Sequence, residues 1–224
     1  ITEGGVATNY NLSLKNYNTY SKDETAVYEK NNDHELFTQF LVKSELPLKK
    51  EFENSTNYLK PVIQARFSPT NGKDISSHGV RLGYDSIFSN NRIEKSDMFE
   101  EGKSLAIGLE FEKQNLMDEK LFGFSIGNVI KDKKNNSLPT SSKLDQTRSD
   151  IVGSVFYKLS DNLELDYNFS YDRDLDFSNY DSISATLGAN NFVTTFDYVT
   201  ENHELGDSEV ISNETKINFT NEHS

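Results

Sequence analysis

Cysteine is absent from the 224 residues, so this segment holds neither a disulfide framework nor a thiolate metal site. Apolar residues are scarce. Only 34% are hydrophobic and the mean hydropathy is −0.68, poorer than a soluble protein of this size normally uses to build a core. No run of about 18 apolar residues occurs, which excludes a transmembrane helix. Helical periodicity is hard to find anywhere. Basic charge is short too: a net charge of −13 argues against a nucleic-acid surface, which needs clustered Lys and Arg to neutralise phosphates. The chain opens on ITEGG with neither an initiator Met nor a signal-peptide pattern, and it stops at NEHS just after a strand-like run. Both ends read as cut, and the expectation is an internal piece of a longer protein.

What the chain does have is aromatics, 15 Phe and 11 Tyr, where disordered chains have few. They fall into period-2 alternation. In LELDYNFSYDRDLDF, Leu163, Leu165, Tyr167, Phe169, Tyr171, Leu175 and Phe177 (with Arg173) alternate with Glu164, Asp166, Asn168, Ser170, Asp172, Asp174 and Asp176. Similar runs begin at Val6, near 35–46 and near 57–67, then carry Leu105, Ile107, Leu109 and Phe111. They continue through Phe122–Ile130, Ile151–Leu159, Ile183–Ala189 and Phe192–Tyr198, with a weaker run at Ile211, Ile217 and Phe219. That predicts about ten strands. Tight connections at Gln114–Glu119, Ser160–Asn162 and Asn190–Asn191 use turn-forming Asn and Asp. If strands alternate up and down, these and Pro47–Thr56 share one end. Long polar connections (16–34, 68–102, 131–148, 201–207) and one short link at Ser178–Asp181 share the other.

A soluble antiparallel sheet also alternates. Here the strands are long, similar and successive, and their apolar face places Tyr10, Tyr157, Tyr171, Phe177 and Tyr198 near strand ends, as in an interfacial aromatic girdle. Strands of about ten residues, tilted, just cross a bilayer. The fold class expected is therefore all-β, an antiparallel up-and-down transmembrane β-barrel. The segment supplies about ten strands of a larger one, with 68–102 as a long extracellular loop. Leu105, Ile107, Leu109, Phe111, Val155, Tyr157, Leu163, Leu165, Tyr167, Phe169, Tyr171, Phe196 and Tyr198 are expected to face lipid. Glu164, Asp166, Asp172, Asp174 and Asp176 are expected to line an aqueous lumen.

Motifs for chemistry mostly fail. GFSIG (123–127) matches a nucleophile elbow, but Ser125 sits inside an alternating run and no helix follows. Asp172, Asp174 and Asp176 have calcium-loop spacing, yet Phe177 and Ile183 stand where Gly and Glu are required. The histidines, 34, 78, 203 and 223, include no pair spaced for a metal. The basic run Lys131-Asp132-Lys133-Lys134 falls in an expected external loop, where it reads as solvated or as a contact for anionic sugar phosphates. Asn168-Phe169-Ser170 is a sequon on a strand and carries no weight. No catalytic residue, metal or cofactor is expected.

Four stretches resemble the lipopolysaccharide-assembly outer-membrane family LptD, in alphaproteobacterial form. They are YLKPVIQ (58–64) followed by Ser68-Pro69, DSIFSNNRIEKSDMFEEG (85–102), FGFSIGNVI (122–130), and RSDIVGSVFYKLSDNLELDYNFSYDRD (148–174). In the third, Asn128 stands where Gln is commoner. The likeness covers about 57–200 well and the first 50 residues only by strand pattern. It implies that 1–224 is a segment of a barrel of upwards of ~20 strands in the outer membrane of a Gram-negative bacterium. It also implies lipopolysaccharide as cargo, inserted into the outer leaflet, with outer-membrane lipid around the wall. An LptE-like lipoprotein plug would sit in the lumen, and periplasmic bridge proteins would act through a domain outside this segment. No individual transport residue carries over. A passive outer-membrane porin and a soluble secreted β-sandwich adhesin stand as the alternatives.

Overall fold

The computed structural model describes residues 5–24, 30–70, 72–95, 98–189, 191–202 and 206–217. Asn190, His203, Phe219 and His223 lie outside the described residues. The strands are β1 (Ala7–Ser21), β2 (Asn31–Glu45), β3 (Leu48–Glu51), β4 (Thr56–Ser68), β5 (Gly102–Gln114) and β6 (Lys120–Lys131). They continue as β7 (Ile151–Ser160), β8 (Leu163–Tyr171), β9 (Ser178–Ala189), β10 (Phe192–Glu201) and β11 (Ser208–Ile217). A short helix α1 (Tyr84–Ile87) lies between β4 and β5. All eleven strands join one sheet in sequence order, except that β3 pairs only with β4 and leaves β2 beside β4. Every pairing is antiparallel. This is the expected up-and-down architecture of a partial barrel, and β1 does not pair with β11 among the described residues.

Three boundaries differ from the expectation. The expected loop 16–34 shrinks because β1 and β2 stay paired as far as Ser21 and Asn31. Strand pairing needs only backbone groups, so the hairpin continues where the apolar alternation has lapsed. The segment 47–56 contains β3, which folds back on Leu59–Thr56. The short link is 172–177 rather than Ser178–Asp181, which belong to β9.

Alternate side chains in a strand point to opposite faces, and paired residues share one. Along β4, Val62, Gln64, Arg66 and Ser68 are buried while Ile63, Ala65 and Phe67 are exposed. The segments 69–101 and 132–150 cover the first face, and the other is bare. Their apolar residues make the core: Ile75, Val80, Leu82, Ile87 and Ile93 from the first, Leu138 and Leu144 from the second. Ala106, Val129 and Val152 supply the wall beneath them. The polar appearance of 68–102 thus hides a spaced set of anchors.

Two glycines seat α1. Gly108 and Gly127 are direct partners across β5 and β6 on the covered face. A Cβ at Gly108 would lie 2.8 Å from both the Tyr84 and Phe88 rings, and one at Gly127 would lie 2.6 Å from Ile87 Cδ1. Gly127→Val is therefore expected to lift α1 at a cost of about 1–3 kcal/mol, read as faster proteolysis within 72–95. Gly83→Ala is the control, since nothing lies within 4 Å of its added Cβ. Equal proteolysis of the two variants would refute the seating.

Candidate functional site

The covered face is built around one carboxylate. Glu100 is 1% exposed and accepts two bonds from Arg92 Nη1, at 3.0 and 2.8 Å. Lys131 Nζ lies 3.1 Å from its Oε1, and Arg66 Nε lies 3.9 Å from its Oε2. All three cations are buried as well. Each also ties down backbone or a wall hydroxyl. Arg92 donates to Ile87 O and Ser104 Oγ, Arg66 to Ser89 O and Asn90 O, and Lys131 to Leu144 O. These charge-assisted bonds satisfy loop carbonyls that have no strand to pair with. Burial alone would raise the Glu100 pKa. Arg92, Lys131 and Arg66 outweigh it and hold the carboxyl well below its ordinary range.

The first loop crosses much of the sheet. Near its start, Thr38 N–H donates to Thr70 Oγ1 at 3.0 Å and Lys73 pairs with Glu35 at 3.0 Å. The Phe99 ring stacks on Phe37 of β2 with centroids 3.9 Å apart. Midway, Arg81 pairs with the Glu201 carboxylate on β10 and covers the Tyr180 ring at 4.1 Å. Between α1 and the wall lies a polar hollow of about 520 Å³, lined among others by Tyr84, Glu110, Glu112, Lys120, Ser125 and Asn168. Tyr84 Oη donates to Glu110 at 3.1 Å, and Lys60 pairs with the same carboxylate at 2.6 Å. Ser125 Oγ meets Ser154 Oγ at 2.7 Å on the next strand, so this hydroxyl is a cross-strand partner, and no His is among the described residues that line the hollow. The hollow offers hydroxyls, amides and paired charges to a polar guest. Among the described residues, no group of three or more His, Asp or Glu is placed to hold a metal ion.

Registers place every residue expected to face lipid on the bare face. Leu105, Ile107, Leu109 and Phe111 pair with Ala65, Ile63, Pro61 and Leu59 of β4. Phe111 and Leu109 meet Phe124 and Ile126 on the other side, and Phe122 and Phe124 pair with Tyr157 and Val155. Val155, Tyr157 and Ile151 then pair with Tyr167, Leu165 and Tyr171, and Gly153 pairs with Phe169. Leu163 meets Leu187, while Leu165 and Tyr167 meet Ala185 and Ile183, which pair in turn with Phe196 and Tyr198.

Of the acidic residues, Glu164 and Asp166 lie on the covered face of β8. Asp172, Asp174 and Asp176 do not belong to the strand at all. β8 ends at Tyr171, and the Asp172 carboxylate accepts the Asp174 N–H at 3.2 Å while its carbonyl accepts Leu175 N–H at 2.8 Å. The chain turns there, so the alternation that runs on to Phe177 is a turn read as a strand. Sequence reading also missed Asp181, which stands on the bare face and accepts from Tyr167 Oη. It missed Arg66, Arg92, Glu100 and Lys131 as a unit. The available signal was charge interleaved with Ile87, Ile93, Met98 and Phe99 in a segment otherwise polar.

The family model LptD, described as LPS transport system D, matches residues 4–223. The chain belongs to the LptD family. The match reaches well before residue 57, into strands that resembled the family only by pattern. No curated protein matches. LptD is a family of lipopolysaccharide transport in the outer membrane of Gram-negative bacteria, a transport family rather than an enzyme family. In this LptD chain the first two family-like stretches meet in the Glu100 cluster, and the third leads directly into Lys131. Arg66 falls between the two parts of the first, and Ser89, Asn90, Arg92 and Glu100 belong to the second. Near the end of the third, the Val129 N–H donates at 2.9 Å to Ser149 Oγ near the start of the fourth.

Proposed function

We propose that this chain is wall of an LptD barrel that inserts lipopolysaccharide into the outer leaflet, its bare face in hydrocarbon and its covered face toward a wet lumen. One observation carries the reading: the polarity of the sheet is inverted. Leu12, Phe40, Ile63, Phe67, Ile107 and Phe196 are exposed, while Gln39, Gln64, Arg66 and Lys131 on the other face are buried. In water that distribution is unfavourable by about 25 cal/mol per Å² of apolar surface left exposed. In a bilayer it is the favourable one, because only alternate residues meet lipid. A sandwich adhesin would need a second sheet against this face, and the described residues contain a single sheet.

The polar hollow beside α1, lined by Glu110 and Glu112, is the proposed path for the sugar part of the glycolipid, with Glu164 and Asp166 keeping the same face of β8 hydrated. An LptE-like lipoprotein would fill lumen that the chain's own loops leave open. Periplasmic bridge proteins would deliver cargo through a domain outside this segment. Depleting the intact protein should stop lipopolysaccharide from reaching the cell surface.

The absence of cysteine makes a direct test clean. Single replacements Val155→Cys, Leu165→Cys and Phe169→Cys should resist a membrane-impermeant maleimide in outer-membrane vesicles, whereas Asp166→Cys should react once the lumen is opened to reagent. Ready labelling of the first three would remove the barrel and the transport role together.

A further inference from the structure

The bare face carries an apolar depression. On β4, β5 and β6 near the loop end, small Ala65 sits among Phe67, Leu105 and Ile130, leaving an apolar groove of about 660 Å³. The groove shares Phe67, Lys103, Lys131 and Asp132 with a polar hollow of about 200 Å³ immediately toward the loops. Lys103 Nζ stands 5.6 Å from the Phe67 ring centroid, at the junction of the two. Lys133 lines the polar part and is exposed. No carboxylate pairs with Lys103 or Lys133 among the described residues.

The electrostatics of this corner oppose those of the chain. On the other face of the same strands, Arg66 and Lys131 join Arg92 around the single carboxylate of Glu100. Glu101 spends both oxygens on the Gly72 N–H and the Asn135 amide, each at 2.6 Å. Asp132 is the remaining acid in the hollow. Five cations against three carboxylates leave the corner positive within a chain of net charge −13. An apolar groove ending in a positive polar rim fits an amphiphile with an anionic head.

We propose that this corner is a docking site for a phosphate-bearing lipid of the outer leaflet, one acyl chain in the groove beside Ala65 and the phosphate between Lys103 and Lys133. The inference rests on the bare face meeting lipid with the loop end outward. It adds a resident lipid on the wall, away from the hollow proposed for cargo. Near a membrane surface, each Lys attracts an anionic headgroup measurably, and an apolar slot beside it fixes the chain.

Native mass spectrometry of the full-length protein, delipidated and titrated with bis-phosphorylated lipid A, tests the site. Lys103→Glu with Lys133→Glu should lower occupancy about tenfold. Ala65→Phe, which fills the groove, should lower it too, and Asp132→Asn should raise it. Dephosphorylated lipid A should bind weakly, and inorganic phosphate should fail to compete. Unchanged occupancy in the double variant, or equal binding of the dephosphorylated lipid, overturns the dock. Competition by free phosphate reduces the corner to an anion site and overturns it as well. None of these results bears on maleimide protection of Val155→Cys, Leu165→Cys and Phe169→Cys, so the dock can fail while the membrane reading stands.

Discussion

Glu100→Gln is expected to release the first loop from the wall, with a loss of about 3–5 kcal/mol as seen when one partner of a buried ion pair is removed. The reason is stoichiometry. Arg66, Arg92 and Lys131 share this carboxylate, so neutralising it leaves three buried cations with no anion among them. Arg92→Met and Lys131→Met each leave Glu100 with two cations and should cost clearly less. Denaturant midpoints of the refolded barrel, together with cleavage rates within 72–95, rank the variants. A ranking in which Lys131→Met equals or exceeds Glu100→Gln removes the single-anion account. Because the folded carboxyl titrates below its ordinary range, its contribution is complete above the unfolded pKa, near 4.3 for a free Glu, and is lost only as pH falls through the depressed folded value.

Ile107→Arg is expected to cost about 2–4 kcal/mol in folding into a bilayer, the penalty for a cation at mid-depth on a lipid-facing strand position. Ile107 lies midway along the bare face of β5, flanked by Ile63 on one side and Asn128 on the other. Tyr167→Asp and Phe169→Asp should impair assembly in the same direction. Asp166→Asn, one position away on the opposite face, should be mild. The decisive quantity is the difference between the two faces in one folding assay, and equal tolerance of Phe169→Asp and Asp166→Asn would contradict the assignment.

Most strands were legible because the two faces of the sheet carry different side chains, which writes a period of two into the ribbon. Leu105-Ala106-Ile107-Gly108-Leu109 shows large and small residues in strict turn, and the structure places them on the bare and covered faces respectively. The loop core was not legible. Its apolar anchors from Ile75 to Phe99 follow no period, since a segment lying across strands meets the wall at irregular intervals. The acidic tail of β8 misled for the opposite reason: a turn closed by Asp172 happened to continue the alternation. Partners of Glu100 come from β4, β6 and the loop between β4 and β5, and only three-dimensional pairing reveals that one carboxylate serves them all.

The clasp between Arg81 and Glu201 joins residues 120 positions apart in the chain. Arg81 reaches the wall from the loop that β4 and β5 bracket, so the pair can close only when the arc from β4 to β10 is in place. The clasp therefore depends on the strand pairings between β5 and β10 standing in register. Through it the loop ties together strands that the sheet itself connects only by way of their neighbours.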